Sequence, residues 1–342
     1  MHELAFGITS NNATFAPVRN FHNPERIAGG SSGGTAVAVA AGIVEMGLGT
    51  DTGGSSRIPA ALNGVVGFRP SQGRYPAGGV TPISSTRDTV GPMANNVTNT
   101  ALLDCVITNC ATTAKAVSLN DLRLGVPRTY FYENVSADVE SVTKATLAKL
   151  AAAGVTLVEV EMPGLEAANN GAGFAVALYE FMQEFPDYLQ TNTTGVTLAE
   201  VVEQMVSTDV KATVLSQMGE QAIPESAYRE AIDRFRPELM AIYDKAFSSY
   251  DVAAMILPTT PLTATPIKTS DETVLLNGVE SPTFLTLIRN TDPTSNAGLP
   301  SLTLPAGVDS EGLPIGIMLD GPNNSDRQLF NIALAIESLL TE

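Results

Sequence analysis

Apolar and polar positions along this chain alternate between helical and strand-like spacing. The run Thr35-Ala36-Val37-Ala38-Val39-Ala40-Ala41 is small and apolar on every side. It predicts a buried helix over residues 31–44, opened by Ser31 or Ser32 and ending near Gly42. Met46-Gly47-Leu48-Gly49-Thr50 reads as a short strand. Ser55 then precedes a second short helix, 58–62, where Pro59 falls in a first turn that needs no N–H donor. Val65-Val66-Gly67-Phe68-Arg69 reads as a buried strand stopped by Pro70, and 71–92 as ordered loop with short strands.

Helical spacing returns over 96–107, followed by a strand at 122–127, an amphipathic helix at 137–152 ended by Gly154, and a strand at 155–160. Residues 171–250 read as mainly helical, with Pro186 and Pro224 as breaks. A strand at 252–257 halts at Pro258, and 262–277 reads as a polar loop. Leu302-Thr303-Leu304-Pro305 and Ile315-Gly316-Ile317-Met318 form a strand pair before a helix over 326–340. This β–α–β alternation predicts an α/β fold, a mixed central β-sheet covered by helices on both faces. Residues 1–342 read as one domain with a helical insertion at about 171–250, and no internal repeat is evident.

Composition narrows the function classes. A chain of 342 residues with 44% hydrophobic content can bury a large core. Its formal net charge of −17 contains no basic cluster, which argues against nucleic acid and against an anionic membrane surface. The start is not signal-like and no apolar run approaches the roughly 18 residues of a membrane helix, so a cytoplasmic location is expected. Cys105 and Cys110 are too few for a disulfide framework and lack partners at metal-ligand spacing. Reduced core thiols and no metal site are expected.

Candidate chemistry concentrates in Gly29-Gly30-Ser31-Ser32-Gly33-Gly34 and Asp51-Thr52-Gly53-Gly54-Ser55-Ser56-Arg57. Glycine lets a ligand approach the main chain, so the N–H groups of Thr52, Gly53, Gly54 and Ser55 can receive a developing oxyanion beside a Ser55 nucleophile. The plain alternatives are a tight turn with Ser55 as a helix cap, and, at Ser31, an anion cradle at a helix start. The Gly-Lys-Ser/Thr ending of a P-loop is absent. His2 and His22 are the only histidines, and Ser55 lacks the Gly-X-Ser-X-Gly context, which argues against a Ser-His-Asp triad. Asp51 and Arg57 flank the serine and pair to shape the turn, while Arg57 stays protonated and cannot serve as base.

These strings resemble the amidase signature family. The resemblance continues through Gly64-Val65-Val66-Gly67-Phe68-Arg69-Pro70, Asp88-Thr89-Val90-Gly91-Pro92, Leu257-Pro258-Thr259-Thr260-Pro261, Asn296-Ala297-Gly298-Leu299-Pro300 and Gly312-Leu313-Pro314-Ile315-Gly316. The opening, Met1 to Asn12, most resembles the mandelamide- and indoleacetamide-hydrolysing branch of that family. The resemblance implies the amidase signature fold and hydrolysis of small aryl or arylalkyl carboxamides, through a serine acyl-enzyme, to a carboxylic acid and ammonia. It implies no metal and no organic cofactor. Ser55 matches the nucleophile, and Ser31 the bridging serine that follows a cis peptide bond from Gly30. Ser32 matches a supporting hydroxyl and Asp51 with Arg57 a structural pair, while Thr52, Gly53 and Gly54 are the oxyanion hole read from the glycine-rich backbone.

The family base is a neutral lysine upstream of the position matching Ser31, and this chain has no lysine before Lys115. Lys115, Lys144, Lys149, Lys211, Lys245 and Lys268 all lie outside glycine-rich context. The expectation is therefore an N-terminally truncated amidase, impaired or inactive alone. The alternatives are a split enzyme completed by an N-terminal segment in trans, and a degenerate relative that binds amides without hydrolysing them. An uncovered sheet edge favours association, a homodimer included. Phe174, Tyr179, Phe181 and Phe185 suit an aromatic substrate and suit a core equally well.

Overall fold

The described residues form ten strands: β1 (Met46–Thr50), β2 (Val66–Arg69), β3 (Val90–Ala94), β4 (Arg123–Val126), β5 (Thr156–Glu159), β6 (Ala254–Pro258), β7 (Thr273–Leu276), β8 (Val279–Pro282), β9 (Ser301–Val308) and β10 (Pro314–Asp320). The computed structural model describes residues 1–111, 113–192 and 195–341. Eight strands share one mixed sheet, in the order β1-β3-β2-β9-β10-β6-β4-β5, and β7 with β8 forms a separate hairpin. Pairing is antiparallel from β1 across to β6 and parallel from β6 through β4 to β5.

The helices are α1 (Gly33–Ala40), α2 (Arg57–Asn63), α3 (Val97–Thr108), the single turn α4 (Arg128–Phe131), α5 (Ala137–Ala152), α6 (Leu165–Asn192), α7 (Leu198–Gln204), α8 (Thr208–Gln217), α9 (Glu225–Glu230), α10 (Arg236–Tyr250), α11 (Thr283–Ile288), α12 (Asp292–Ala297) and α13 (Asp326–Thr341). They cover both faces of the sheet. Along β10, Ile317 and Leu319 join a core with Leu147 and Leu150 of α5 and Phe330 and Ile336 of α13. Met318, between them, joins another core with Leu239, Tyr243 and Phe247 of α10 and Leu165 of α6. The period of two along a strand divides the core in this way.

Four expectations need correction. Pro186 lies inside the continuous 28-residue α6. Phe181, Phe185 and Leu189 on that helix pack into one buried cluster with Val202, Val210 and Val214, and this burial outweighs the lost proline N–H. Residues 262–277 are not simply loop, because they contain β7, which turns through Asn277 (φ 52°) and Gly278 (φ 81°) into β8. Such paired positive φ values suit the twist of a two-residue hairpin. Cys105 and Cys110 are joined in a disulfide rather than reduced. Asn109 caps α3 in the left-handed conformation (φ 51°) and folds the chain back, leaving the two Cα atoms 4.8 Å apart. The stretch 71–92, expected as loop with short strands, holds a strand only where β3 begins at Val90.

β1 is an edge strand, and its Leu48 is exposed together with Ile43 and Val44 just before it. No helix among the described residues is long and apolar enough to cross a membrane.

Candidate active site

β1 ends at Thr50, and residues 51–56 turn from it into α2. The other glycine-rich string enters α1 immediately beside this turn. The Ser32 N–H donates to Ser55 O at 3.2 Å, which brings the two strings together. Ser32 Oγ donates to Thr50 O at 3.2 Å and accepts from Thr50 N at 3.1 Å, pinning the start of α1 to the end of β1. The Gly30–Ser31 peptide bond is cis. Gly30 itself lies against the backbone of residues 7–9, where an added Cβ would come within 2.7 Å of the Ile8 carbonyl carbon.

Neither serine hydroxyl has a hydrogen-bond partner among the described residues. Ser31 Oγ is fully buried with no hydrogen-bond partner, although Ser31 O accepts from Ser10 Oγ and from the His2 N–H, both at 3.0 Å. Ser55 is 9% exposed, and its hydroxyl bonds to none of the described residues.

The backbone around Ser55 has a consistent polarity. The carbonyl of Asp51 accepts from Arg69 Nη1, that of Thr52 from Arg87 Nε at 3.2 Å, and that of Gly53 from Thr291 Oγ1 at 2.7 Å. The Gly54 carbonyl accepts from the Ile58 N–H at 2.8 Å. By contrast, the N–H groups of Thr52, Gly53, Gly54 and Ser55 donate to no acceptor among the described residues. Folded proteins rarely leave buried donors unpaired, and here consecutive donors share one turn. Gly54 is required by space as well as by backbone conformation, and Gly53 lets Ile288 pack directly on the turn. A Cβ on Gly53 would stand 2.6 Å from Ile288 Cδ1, and one on Gly54 (φ 137°) 2.1 Å from Thr291 Oγ1.

Beneath the turn, Asp51 and Arg57 form the expected pair, both fully buried. Arg57 Nε donates to Oδ2 at 3.0 Å and Nη2 to Oδ1 at 2.9 Å. Burial pushes the Asp51 carboxyl up, but Arg57, joined by Arg69 at 3.2 Å, outweighs it and holds the group well below the usual carboxylate range. Burial in turn lowers Arg69 to about 10, against the opposing pull of Asp51. The Ser56 N–H also donates to Asp51 Oδ2 at 3.2 Å. Asp51 is thus a fixed anion that ties β1 to α2, and it has no free lone pair for base chemistry.

The sequence missed several contributors. Thr52 Oγ1 donates to Asp88 Oδ1 at 2.5 Å, and Asp88 Oδ2 accepts the N–H groups of Ile83 and Ser84. Burial raises the Asp88 carboxyl. Glu180 of α6 accepts from Ser84 Oγ at 2.6 Å and Thr86 Oγ1 at 2.9 Å, which fastens the same loop. Arg87 and Asp88, a charged pair inside the Gly- and Ser-rich loop, were the available sequence signal, whereas Thr291 offered none. Among the aromatic residues expected near a substrate, Phe181 and Phe185 are core, and Tyr179 stacks on Tyr228 at 4.3 Å. Phe174 is 47% exposed and lies 5.8 Å from Phe284 of α11.

Among the described residues, no bond joins any of the six lysines to either serine. Lys115, Lys144, Lys149, Lys245 and Lys268 are exposed, and Lys211 is engaged by Glu203 O and Met205 O. His22 bonds to Asn63 O at the end of α2, and His2 pairs with Asp209 at 3.0 Å. Among the described residues no cluster of His, Cys, Asp or Glu is arranged to hold a metal.

The amidase family profile matches residues 1–330. An indoleacetamide hydrolase of Agrobacterium vitis is 45% identical over 340 residues, covering 99% of this chain and 73% of that protein. A mandelamide hydrolase of Pseudomonas putida is 40% identical over 358 residues, covering 99% of this chain and 68% of that protein. A crystal structure of an amidase superposes with a TM-score of 0.87 at 33% identity, covering 99% of this chain and 73% of that one. With an eight-stranded mixed sheet flanked by helices and this level of similarity along its length, the chain belongs to the amidase family.

Proposed function

We propose that this chain carries the acyl-transfer site of an amidohydrolase acting on small aryl or arylalkyl carboxamides. Ser55 attacks the amide carbonyl, and the N–H groups of Thr52, Gly53, Gly54 and Ser55 receive the oxyanion. The observation that carries this reading is their polarity, with every carbonyl of those peptides engaged by protein and every N–H without an acceptor among the described residues. Fixed donors of this kind cost no reorganisation as charge develops, and each is worth about 3 kcal/mol of transition-state stabilisation. Ser31 takes the Ser55 proton and passes it on. Its buried hydroxyl, without a partner, supports a relay rather than a structural role. The departing nitrogen gains a proton and leaves as ammonia, and water then frees the carboxylic acid from the Ser55 ester.

Support for an aryl substrate comes from the wall beside the donors. Ile288 Cδ1 packs directly on Gly53, Phe284 lies one helical turn before Ile288, and half-exposed Phe174 faces Phe284. The related indoleacetamide and mandelamide hydrolases fit the same class of substrate.

The relay needs a proton acceptor beyond Ser31, and the chain's own lysines and histidines are engaged or exposed elsewhere. The reading therefore commits to a lysine-bearing segment, joined or in trans, that reaches Ser31. The second reading, a non-catalytic amide binder, is favoured by the absence, among the described residues, of a lysine or histidine bonded to Ser31. Ammonia release from phenylacetamide separates the two when such a segment is supplied. Turnover lost in Ser55→Ala supports the first reading, turnover retained in Ser55→Ala removes Ser55 from its role, and binding without turnover supports the second.

A further inference from the structure

We propose that Arg87 and Thr291 are positioning residues that aim the oxyanion-receiving N–H groups at the substrate without touching it; this rests on the reading of Ser55 above. A planar trans peptide points its C=O and its N–H in opposite directions. The peptides from Asp51 to Ser55 are all trans. Whatever holds the Thr52 carbonyl therefore sets the direction of the Gly53 N–H. Whatever holds the Gly53 carbonyl likewise sets that of Gly54. Arg87 Nε holds the first at 3.2 Å and Thr291 Oγ1 the second at 2.7 Å.

Both holders are themselves fixed. The buried Arg87 guanidinium donates to Gly173 O of α6 at 2.6 Å and to Asp292 Oδ1 of α12 at 2.6 Å. Asp292 Oδ2 in turn accepts from Asn169 at 3.1 Å and Asn296 at 2.9 Å. Thr291 immediately precedes α12, and its hydroxyl fills the space a Gly54 side chain would take. The helical region and the segment that opens α12 thus meet on the carbonyl side of the turn, opposite the substrate. The other two carbonyl partners are less specific to this task, because Arg69 also binds the Asp51 carboxylate and the Ile58 N–H opens α2.

The test compares a tetrahedral ligand with a planar one. Benzylboronic acid forms an O–B bond with Ser55 Oγ, the serine proton leaves to solvent, and the boron becomes a tetrahedral anion whose oxygen sits among the N–H groups. Phenylacetamide binds without that charge. Titration calorimetry on the full chain gives both affinities for the parent, Thr291→Val, Thr291→Ser, Arg87→Lys and Ser55→Ala. Thr291→Val keeps the shape and removes the donor. It is expected to weaken the boronate by ~10- to 100-fold, the scale of a misplaced catalytic contact, with phenylacetamide changed by less than about twofold. Thr291→Ser restores the parent ratio, and Arg87→Lys, which cannot span its acceptors as a fork, behaves like Thr291→Val. Equal loss of both ligands, or no loss of either, in Thr291→Val overturns the positioning role while leaving Ser55 intact. A boronate that fails to bind the parent, or binds Ser55→Ala as tightly, overturns the Ser55 reading and this proposal with it.

Discussion

Replacing Gly54 by alanine probes the turn at its tightest point. The residue sits at φ 137°, where side-chain-bearing residues rarely go, at a cost of about 1–3 kcal/mol. Its new Cβ would meet Thr291 Oγ1 at 2.1 Å, Thr291 Cβ at 2.7 Å and Ile58 Cδ1 at 2.8 Å. Thr291 has to swing away and release the Gly53 carbonyl, which adds about 1–3 kcal/mol for a buried acceptor left unpaired. The total is roughly 2–6 kcal/mol, and with unfolding entropy scaling with chain length this lowers Tm by about 3–8 °C. Gly42→Ala is the control, because Gly42 has φ 67° and nothing within 4 Å of its added Cβ. It bears only the left-handed backbone cost, about 1–2 kcal/mol. Differential scanning calorimetry of both variants isolates the contribution of packing. A Gly54→Ala protein no less stable than Gly42→Ala refutes the reasoning.

Asp51→Asn leaves Arg57 and Arg69 buried without their carboxylate and is expected to cost about 3–5 kcal/mol in urea unfolding. The native Asp51 pKa is depressed, so its stabilisation is present at neutral pH and is lost only as pH falls well below the ordinary 3.8. Asp320 has the opposite sign. Burial raises it to about 7 against the pull of Ser301 and Arg57, so the native state keeps its proton after the unfolded chain has lost it. Stability should fall as pH rises from about 4 to about 7, by up to ~4 kcal/mol from this group. Asp320→Asn should flatten that fall, and an unchanged pH profile would count against the assignment. Phe284→Ala should reduce the preference for phenylacetamide over acetamide roughly tenfold in binding, with acetamide unaffected.

What the sequence made legible was local. The buried runs of β2, β6 and β10 and the helix after Ser55 lie in short windows whose spacing or punctuation is enough to assign them. Ser31, Ser55, Asp51 and Arg57 likewise sit within the two glycine-rich strings, and Asp51 and Arg57 do pair as expected. Pro186 misled because a local helix-breaking rule was outweighed by burial of Phe181, Phe185 and Leu189. The β7–β8 hairpin has a local signal in Asn277-Gly278, a dipeptide suited to a two-residue hairpin turn. The disulfide depended on the left-handed turn at Asn109, which spacing alone does not reveal. Thr291 was out of reach in principle, since its role is a contact with Gly53 across 238 positions of sequence.

The central claim is that Ser55 is the nucleophile. Treatment with a benzylsulfonyl fluoride, which transfers its sulfonyl group to a serine Oγ with release of fluoride and the hydroxyl proton, tests it directly by intact mass and peptide mapping. With the lysine-bearing segment supplied, a single adduct is expected on the peptide containing Ser55 and none in Ser55→Ala. Equal labelling of Ser55→Ala, or a parent protein that carries the adduct only elsewhere, would contradict it.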